Sequence, residues 1–207
     1  MLKLSAALIL LLLMVTGAAA APATLLVLGD SLTAGLGLAP ADAFPAKLEA
    51  ALKAKGHDVK VINAGVSGDT AADGAARLDW ALGEPVDGVI VELGANDALR
   101  GLPVAQAEQA LDQILESLKA KKLPVLLAGM RAPPNLGPEY QAQFDGMYAR
   151  LAQKYGVALY PFFLEGVAAD PKLNQGDGMH PNPAGVDVIV TRILPSAEAL
   201  LQQVRPK

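Results

Sequence analysis

The chain has 207 residues, a formal net charge of −4 and no cysteine, and apolar residues make up 52% of it. This length suits one domain with a substantial core, and the composition excludes a disordered chain. The absence of cysteine excludes disulfides, thiolate nucleophiles and Cys-ligated zinc, and the acidic balance lacks the electrostatic footprint of a nucleic-acid-binding protein. Since His57 and His180 are the two histidines, serine or carboxylate chemistry leads the remaining options.

The first 21 residues have the layout of a cleavable secretory signal peptide. Lys3 is followed by an apolar run, and the small residues at 17–21 come just before Pro22. The run is shorter than the roughly 20 residues that span a bilayer, and Ala-x-Ala cleavage sites are available, so an uncleaved anchor is the weaker alternative. We therefore predict a signal peptide at 1–21 and a mature domain at 22–207, secreted to a bacterial periplasm, with no stable membrane anchor after cleavage.

Short apolar runs alternate with amphipathic segments along the rest of the chain. Runs rich in Val, Ile and Leu predict buried strands at 24–28, 58–64, 87–93, 124–130 and 157–160. Apolar residues three and four positions apart predict helices at 43–55, 70–82, 104–118, 138–155 and from 183 onward. Strands that are apolar on both faces and alternate with helices are typical of the α/β class, in which helices cover both sides of a parallel sheet.

Ser31 is the candidate nucleophile at the edge of this sheet. It comes directly after the first predicted strand, and ligands bind at the carboxyl ends of parallel strands. A serine hydroxyl reacts only when a base removes its proton. Thr33 takes the place of the second glycine in the G-x-S-x-G motif, which disfavours an ordinary α/β-hydrolase. Taken alone, Ser31 would be better explained as a helix N-cap.

An imidazole base for Ser31 would have to be His57 or His180. His57 precedes the second strand, at the opposite edge of the sheet from Ser31, and is predicted to be a solvated turn residue. His180 lies in a loop bounded by glycine and proline, and Asp177 comes three residues before it. This spacing can bring the carboxylate to one imidazole nitrogen and leave the other for the serine. A surface turn that caps the last helix explains the same two residues about equally well.

Two further residues could stabilise an oxyanion formed at Ser31. Gly65 follows the second strand, and its N–H can approach a substrate closely because it has no Cβ. Asn96 follows the third strand and offers a side-chain amide. The backbone N–H of Ser31 would be a third donor. A turn glycine and an Asx-turn are the simpler explanations for each residue alone, but their convergence with Ser31 and His180 on one edge favours a catalytic site.

Two less specific patterns concern metals and acyl chains. Asp30, Asp97 and Asp177 could supply oxygen ligands to a metal, although this alternative leaves Ser31 and His180 unexplained. Five leucines in loops at the same edge could line an acyl-binding groove or could simply be exposed surface residues: Leu36, Leu38, Leu99, Leu102 and Leu136.

Four sequence blocks, in this order, resemble those of the SGNH or GDSL-type hydrolases. They span nearly the whole predicted mature chain. The third block and the residues that follow it are similar to the same segment in one branch of this family. That branch contains bacterial periplasmic acyl-CoA thioesterases, lysophospholipases and arylesterases. The blocks are Gly29-Asp30-Ser31-Leu32, Asn63-Ala64-Gly65 with Gly68-Asp69-Thr70, Gly94-Ala95-Asn96-Asp97, and Asp177-Gly178-Met179-His180-Pro181.

The resemblance implies a flavodoxin-like three-layer α/β/α sandwich with a five-stranded parallel sheet. It also implies that Ser31 is the nucleophile, His180 the base and Asp177 its partner, and that Ser31, Gly65 and Asn96 form the oxyanion hole. The expected activity is hydrolysis of small-molecule acyl esters and thioesters. We expect a monomer that requires no metal or cofactor and has no nucleic-acid partner.

Two alternatives remain open from the sequence. An O-acetyl esterase that acts on a cell-wall or extracellular polysaccharide would use the same catalytic residues with a more polar groove. A non-catalytic acyl-chain binding protein would keep the fold without the reaction. Covalent labelling of Ser31 separates an enzyme from a binding protein, and the acyl chain-length preference separates the two kinds of esterase.

Overall fold

The computed structural model of the chain describes residues 21–204. The predicted signal peptide lies outside this range except for Ala21, so the peptide and the boundary of the mature domain remain predictions. Among the described residues, no helix is both long and apolar enough to cross a membrane. These residues form strands β1 to β5 at Ala23–Gly29, Val59–Gly65, Gly88–Glu92, Val125–Ala128 and Ala158–Tyr160, and helices α1 to α8 at Ser31–Ala34, Phe44–Ala54, Ala71–Ala76, Leu78–Ala81, Ala95–Leu99, Val104–Ala120, Pro138–Tyr155 and Pro183–Leu201.

The five strands form one parallel sheet in the order β2-β1-β3-β4-β5. Every residue of β3 and β4 is buried, as expected for strands that are covered on both faces. This strand order is that of the flavodoxin-like doubly wound fold. The predicted α/β class and the five-stranded parallel sheet are therefore confirmed.

The helices form two layers that enclose the sheet. In one layer α2 packs on α8 and β2, and α8 also contacts β4 and β5. In the other layer α6 packs between α3 and α7, and α7 contacts β4 and β5. The core lies along both faces of the sheet, where the largest fully buried side chains include Phe44, Leu48, Ile90, Leu111, Phe144, Tyr148 and Phe163.

The strand order reverses beside β1, which pairs with β2 on one side and with β3 on the other. Such a switch point opens a crevice at the carboxyl ends of the strands, where doubly wound proteins bind their ligands. β1 ends at Gly29, just before Ser31, and β3 ends at Glu92, shortly before Asn96. The topology thus brings the Ser31 and Asn96 segments to the same crevice.

Two segments differ from their sequence-based predictions. The helix predicted at 70–82 is divided into α3 and α4, because Arg77 leaves the helical conformation (φ −103°, ψ 5°). Its guanidinium binds the Asp69 carboxylate and the Gly29 carbonyl oxygen. The segment after the third strand, predicted as a loop, forms the short helix α5. The helix break at Arg77 therefore coincides with a contact to the distant Gly29, which the spacing of apolar residues in the sequence does not predict.

Candidate active site

Ser31 lies in a sharp turn between β1 and α1. Asp30 caps α1, because its Oδ1 accepts a hydrogen bond from the Leu32 N–H at 2.9 Å. Thr33 is fully buried, and its hydroxyl donates to the Asp30 carbonyl oxygen at 3.2 Å. These bonds hold the first residue of the helix, Ser31, at the wall of the crevice.

Ser31, His180 and Asp177 form a continuous hydrogen-bonded chain. Ser31 Oγ lies 2.9 Å from His180 Nε2, and His180 Nδ1 lies 2.6 Å from Asp177 Oδ2. The structure therefore brings together the three side chains that the sequence predicted as nucleophile, base and partner. With the Nδ1 proton donated to Asp177, the Nε2 lone pair is available to the serine hydroxyl.

The Asp177 carboxylate also organises the turn that carries His180. Its Oδ1 accepts hydrogen bonds from the backbone N–H groups of His180 at 3.0 Å and of Met179 at 2.9 Å. These backbone bonds, with the bond to the His180 side chain, hold the pKa of Asp177 well below its ordinary value. Asp177 is therefore an anion at neutral pH and can stabilise an imidazolium on His180.

The loop containing Asp177 and His180 is held in place by two neighbouring amide side chains. Asn174 is buried, and its Nδ2 donates to two backbone carbonyls at 2.7 and 2.8 Å. The Gln175 N–H donates to the His180 carbonyl at 2.7 Å, and its side chain donates to the Leu36 carbonyl at 2.8 Å. Sequence analysis missed both residues. The partners of Asn174, at Val167 and Asp170, follow no recognisable motif, and the Gln175 side chain binds backbone that is distant in the sequence.

Asn96 lies in α5, which begins three residues after the end of β3. The preceding Gly94 has a φ of 115°, and a Cβ there would lie 2.3 Å from the hydroxyl oxygen of Tyr148, so only glycine fits. Asn96 Nδ2 donates to Asp30 Oδ2 at 3.2 Å and to the Asp69 carbonyl oxygen at 2.9 Å. The predicted oxyanion donor is therefore oriented by groups on both sides of the crevice.

Gly65 has a different environment from the one predicted. Its N–H donates to Asn63 Oδ1 at 2.9 Å, and a Cβ there would lie 2.4 Å from the Ala34 nitrogen. Its lack of a side chain thus lets α1 pack against β2, and Gly65 does not line the cavity beside Ser31. Gly68, in the same loop, has a φ of 91°, and its N–H has no acceptor among the described residues.

Two carboxyl groups are buried beneath Ser31. Burial raises the pKa of Asp30 to about 6, against the opposing effects of the Leu32 N–H and His180. Glu92, opposite Gly29 in the sheet register, is fully buried. Neither of its oxygens has a hydrogen-bond partner of ordinary geometry among the described residues. Burial and the neighbouring Asp30 raise the pKa of Glu92 well above its ordinary value, although the Asp30 N–H opposes this. Burial therefore favours the protonated form of the Glu92 carboxyl group.

His57 takes no part in this site. It precedes β2, at the edge of the sheet opposite Ser31, as predicted. Its side chain is 33% exposed, and its Nε2 lies 3.1 Å from Glu198 Oε1 near the end of α8. His57 thus lies in the predicted turn and is partly exposed, and its imidazole also contacts Glu198.

The alternative metal ligands are bound to other groups. Asp97 Oδ2 accepts the Ala71 N–H at 2.8 Å, at the start of α3. Asp30 binds Leu32 and Asn96, as described above. Within residues 21–204, no three histidine or carboxylate side chains are grouped as a metal site would require.

A cavity of about 280 Å³ opens beside Ser31, Asn96 and His180. Its other walls are mainly apolar, and Met130, Leu164 and Met179 contribute side chains that sequence analysis did not single out. Of the five leucines predicted to line a groove, Leu99 lines this cavity. The remaining four do not: Leu36, Leu38, Leu102 and Leu136.

Comparison with known proteins identifies the class. Residues 27–188 match the model of the GDSL-like Lipase/Acylhydrolase family, and this range includes Ser31, Asn96, Asp177 and His180. The chain belongs to this family, which confirms the resemblance seen in its sequence. It is an ester or thioester hydrolase.

Several individual proteins are similar over most of the chain. An esterase, TesA, of Pseudomonas aeruginosa is 42% identical over 87% of this chain and 90% of its own. A protein of Escherichia coli K12 named thioesterase 1/protease 1/lysophospholipase L1 is 44% identical over 77% of this chain and 76% of its own. The crystal structure of AlinE4, an SGNH-hydrolase family esterase, has 49% identity and a TM-score of 0.74, over 87% of this chain and 97% of its own.

Proposed function

We propose that the protein is a secreted, periplasmic serine hydrolase that cleaves acyl esters and thioesters. Ser31 is the nucleophile, His180 the general base and Asp177 its partner. The observation that carries this proposal is the unbroken hydrogen-bonded chain from Ser31 Oγ through both imidazole nitrogens to Asp177. The esterase and thioesterase names of the relatives support the same chemistry, and the predicted signal peptide supports secretion.

The reaction has an acylation step and a deacylation step. His180 Nε2 accepts the Ser31 hydroxyl proton as Oγ attacks the carbonyl carbon, and Asp177 stabilises the imidazolium that forms. His180 then donates this proton to the leaving alcohol or thiol as its bond to carbon breaks. In deacylation, water gives a proton to His180 and attacks the acyl-Ser31 ester. Collapse of the intermediate releases the carboxylic acid and returns the proton to Ser31.

The negative oxygen of each tetrahedral intermediate requires hydrogen-bond donors. The Ser31 N–H, at the first position of α1, and Asn96 Nδ2 are two of them. For the third donor the geometry favours Gly68 over Gly65. The Gly65 N–H would have to give up its bond to Asn63, whereas the Gly68 N–H has no acceptor among the described residues.

The shape of the cavity bears on the substrate. A volume of about 280 Å³ lies at the lower end of the range for small-molecule sites, so short and medium acyl chains should fit best. The apolar walls suit an acyl chain better than an acetylated polysaccharide, whose hydroxyl groups need hydrogen-bonding partners. All the proposed catalytic groups come from one chain, so a monomer should be active.

The test is hydrolysis of p-nitrophenyl esters from acetyl to palmitoyl by the wild type, Ser31→Ala and a control, Ser117→Ala on α6. Ser31→Ala should lower kcat/KM by about 10³-fold or more, while Ser117→Ala should not change it. A fluorophosphonate should label the wild type at Ser31 and leave Ser31→Ala unlabelled. An optimum confined to acetyl would favour the O-acetyl esterase. No turnover by the folded wild type on any chain length would favour the binding protein.

A further inference from the structure

The cavity beside Ser31 contains one side chain with a permanent charge, Arg131. The other lining side chains include no carboxylate, although the chain as a whole has a net charge of −4. The acidic residue nearest in sequence to His180, Asp177, directs its carboxylate to His180 and to the backbone of its own turn. An acyl chain needs no cation, so the ester chemistry alone does not account for Arg131.

The backbone at Arg131 is rigidly supported. Its neighbours Met130 and Ala132 are each 5% exposed. The Ala132 N–H donates to Asp145 Oδ1 at 2.8 Å, and the Ala132 carbonyl oxygen accepts a hydrogen bond from Gln141 Nε2 at 3.2 Å. The exposed Arg131 side chain therefore projects from a segment that α7 holds on both of its backbone groups.

The Arg131 guanidinium is stacked but not ion-paired. Its central carbon lies 4.7 Å from the centre of the Phe162 ring. Such stacking limits the motion of the guanidinium and leaves its edge N–H groups available to an anion. Elsewhere Arg77 pairs with Asp69 and Arg150 with Glu108. Among the described residues, no carboxylate lies within 4.0 Å of the Arg131 guanidinium.

We propose that Arg131 forms a binding site for a phosphate group that the substrate carries in addition to its acyl ester or thioester. This inference rests on the proposed function, because it assigns a second recognition point to the same cavity. A planar guanidinium binds phosphate oxygens through paired N–H donors, while the apolar walls accept the acyl chain. The phosphate can belong to an acylated glycerol phosphate or to a nucleotide thioester, in which it lies at different distances from the reacting carbonyl, and the experiment distinguishes these two sources.

The experiment compares substrates that share the acyl chain, with one member of each pair neutral and the other bearing phosphate. One pair is 1-hexanoylglycerol and 1-hexanoylglycerol 3-phosphate, and the other is hexanoyl-pantetheine and hexanoyl-CoA. Arg131→Gln should lower kcat/KM about 10-fold on the phosphate-bearing member and less than about 2-fold on the neutral one. Arg150→Gln, on α7, changes the net charge equally and should leave all four values unchanged. A loss confined to one pair would support the inference and identify the phosphate source.

A binding measurement separates this inference from the proposed catalysis. Ser31→Ala should bind 1-hexanoylglycerol 3-phosphate or hexanoyl-CoA about 10-fold more tightly than Ser31→Ala/Arg131→Gln, with a difference that shrinks as salt is added. Equal losses on neutral and phosphate-bearing substrates, or no loss on either, would overturn the role of Arg131. Failure of the folded wild type to hydrolyse even the neutral substrates would overturn the proposed function, while the binding comparison would still decide whether Arg131 recognises phosphate.

Discussion

Asn96 Nδ2 donates a hydrogen bond to Asp30 Oδ2 at 3.2 Å, so the proposed oxyanion donor is bonded to the residue that caps α1, the helix that begins at Ser31. The same nitrogen donates to the Asp69 carbonyl at 2.9 Å. Both bonds orient the amide before a substrate arrives. An oxyanion beside the Ser31 N–H could replace the longer bond, that to Asp30, so we expect Asp30 to act as a positioning residue for Asn96.

This relationship predicts the effects of two substitutions. Asn96→Ala should lower kcat by about 10²–10³-fold with a small change in KM, because the donor acts in the transition state. Asp30→Asn can keep its bond to the Leu32 N–H but turns an amide towards Asn96, and the displaced donor should cost up to about 10²-fold in kcat. Steady-state kinetics on a p-nitrophenyl ester measure both effects.

The double variant tests whether Asp30 acts through Asn96. Asp30→Asn/Asn96→Ala should be little worse than Asn96→Ala alone, because the two side chains form one unit. Multiplicative losses would contradict this assignment and would place Asp30 in an independent role. An Asn96→Ala rate within a factor of about two of the wild type would contradict the oxyanion role itself.

Two substitutions of Asp177 should separate its effect on catalysis from its effect on stability. Asp177→Asn retains an oxygen for the backbone N–H groups of Met179 and His180 but presents an amide to His180 Nδ1. The imidazole should then adopt the wrong tautomer, and kcat should fall by about 10⁴-fold. Thermal unfolding should show a midpoint close to that of the wild type for Asp177→Asn and a lower one for Asp177→Ala, which also loses both backbone bonds.

A second measurement distinguishes impaired proton transfer by His180 from unfolding of the variant. Fluorophosphonate labelling of Ser31 should slow in Asp177→Asn, because the serine is no longer activated by a correctly oriented His180. A circular dichroism spectrum unchanged from the wild type would show that the fold persists. Labelling of Asp177→Asn at the wild-type rate would be incompatible with Asp177 as the partner of His180.

Most of the fold, and the meeting of Ser31, His180 and Asp177, could be predicted from the sequence for physical reasons. Continuous apolar strands and amphipathic helices specify the doubly wound sheet, and the ends of β1 and β3 then bring Ser31 and Asn96 together. The Gly65 environment could not be predicted in the same way. A glycine needed for packing and one needed for hydrogen bonding look alike in sequence, and the difference lies in the contact of Gly65 with Ala34.

The hydrogen-bond partners of buried polar groups could not be predicted from the sequence either. Nothing near Gln175 in the sequence indicates that it binds the Leu36 carbonyl, and the apolar run around Glu92 indicates a strand without explaining a carboxyl group inside it. Such contacts depend on how distant segments pack. They could be found only once the loops and the sheet were assembled in three dimensions.

Glu92 should make the stability of the protein depend on pH. Its pKa in the folded protein lies well above the ordinary value of 4.5 because of burial, so the folded state keeps a proton that the unfolded state releases above that pH. The free energy of unfolding should therefore fall as pH rises above about 4.5, by up to about 1.4 kcal/mol per pH unit for one retained proton. The loss should end once pH passes the folded pKa.

Glu92→Gln removes this titration while keeping the shape of the protonated side chain. Urea unfolding at pH 5 and pH 8 should show the variant close to the wild type at the lower pH and more stable at the higher one. Glu116→Gln, at an exposed position of α6, is the matched control and should follow the wild type. The opposite result would be a wild-type free energy of unfolding that rises from pH 5 to pH 8, with the same rise in Glu92→Gln. That result would show that Glu92 is ionised in the folded protein.

The choice between Gly68 and Gly65 as oxyanion donor predicts the geometry of a phosphonate adduct. A phosphonate bonded to Ser31 Oγ presents an oxygen where the oxyanion forms. In its crystal structure this oxygen should lie about 3 Å from the nitrogens of Ser31, Gly68 and Asn96 Nδ2. Gly65 should still donate to Asn63, because the packing of α1 on β2 keeps it in place. An adduct in which Asn63 has rotated away and the Gly65 nitrogen contacts the phosphonyl oxygen would restore Gly65 as the donor.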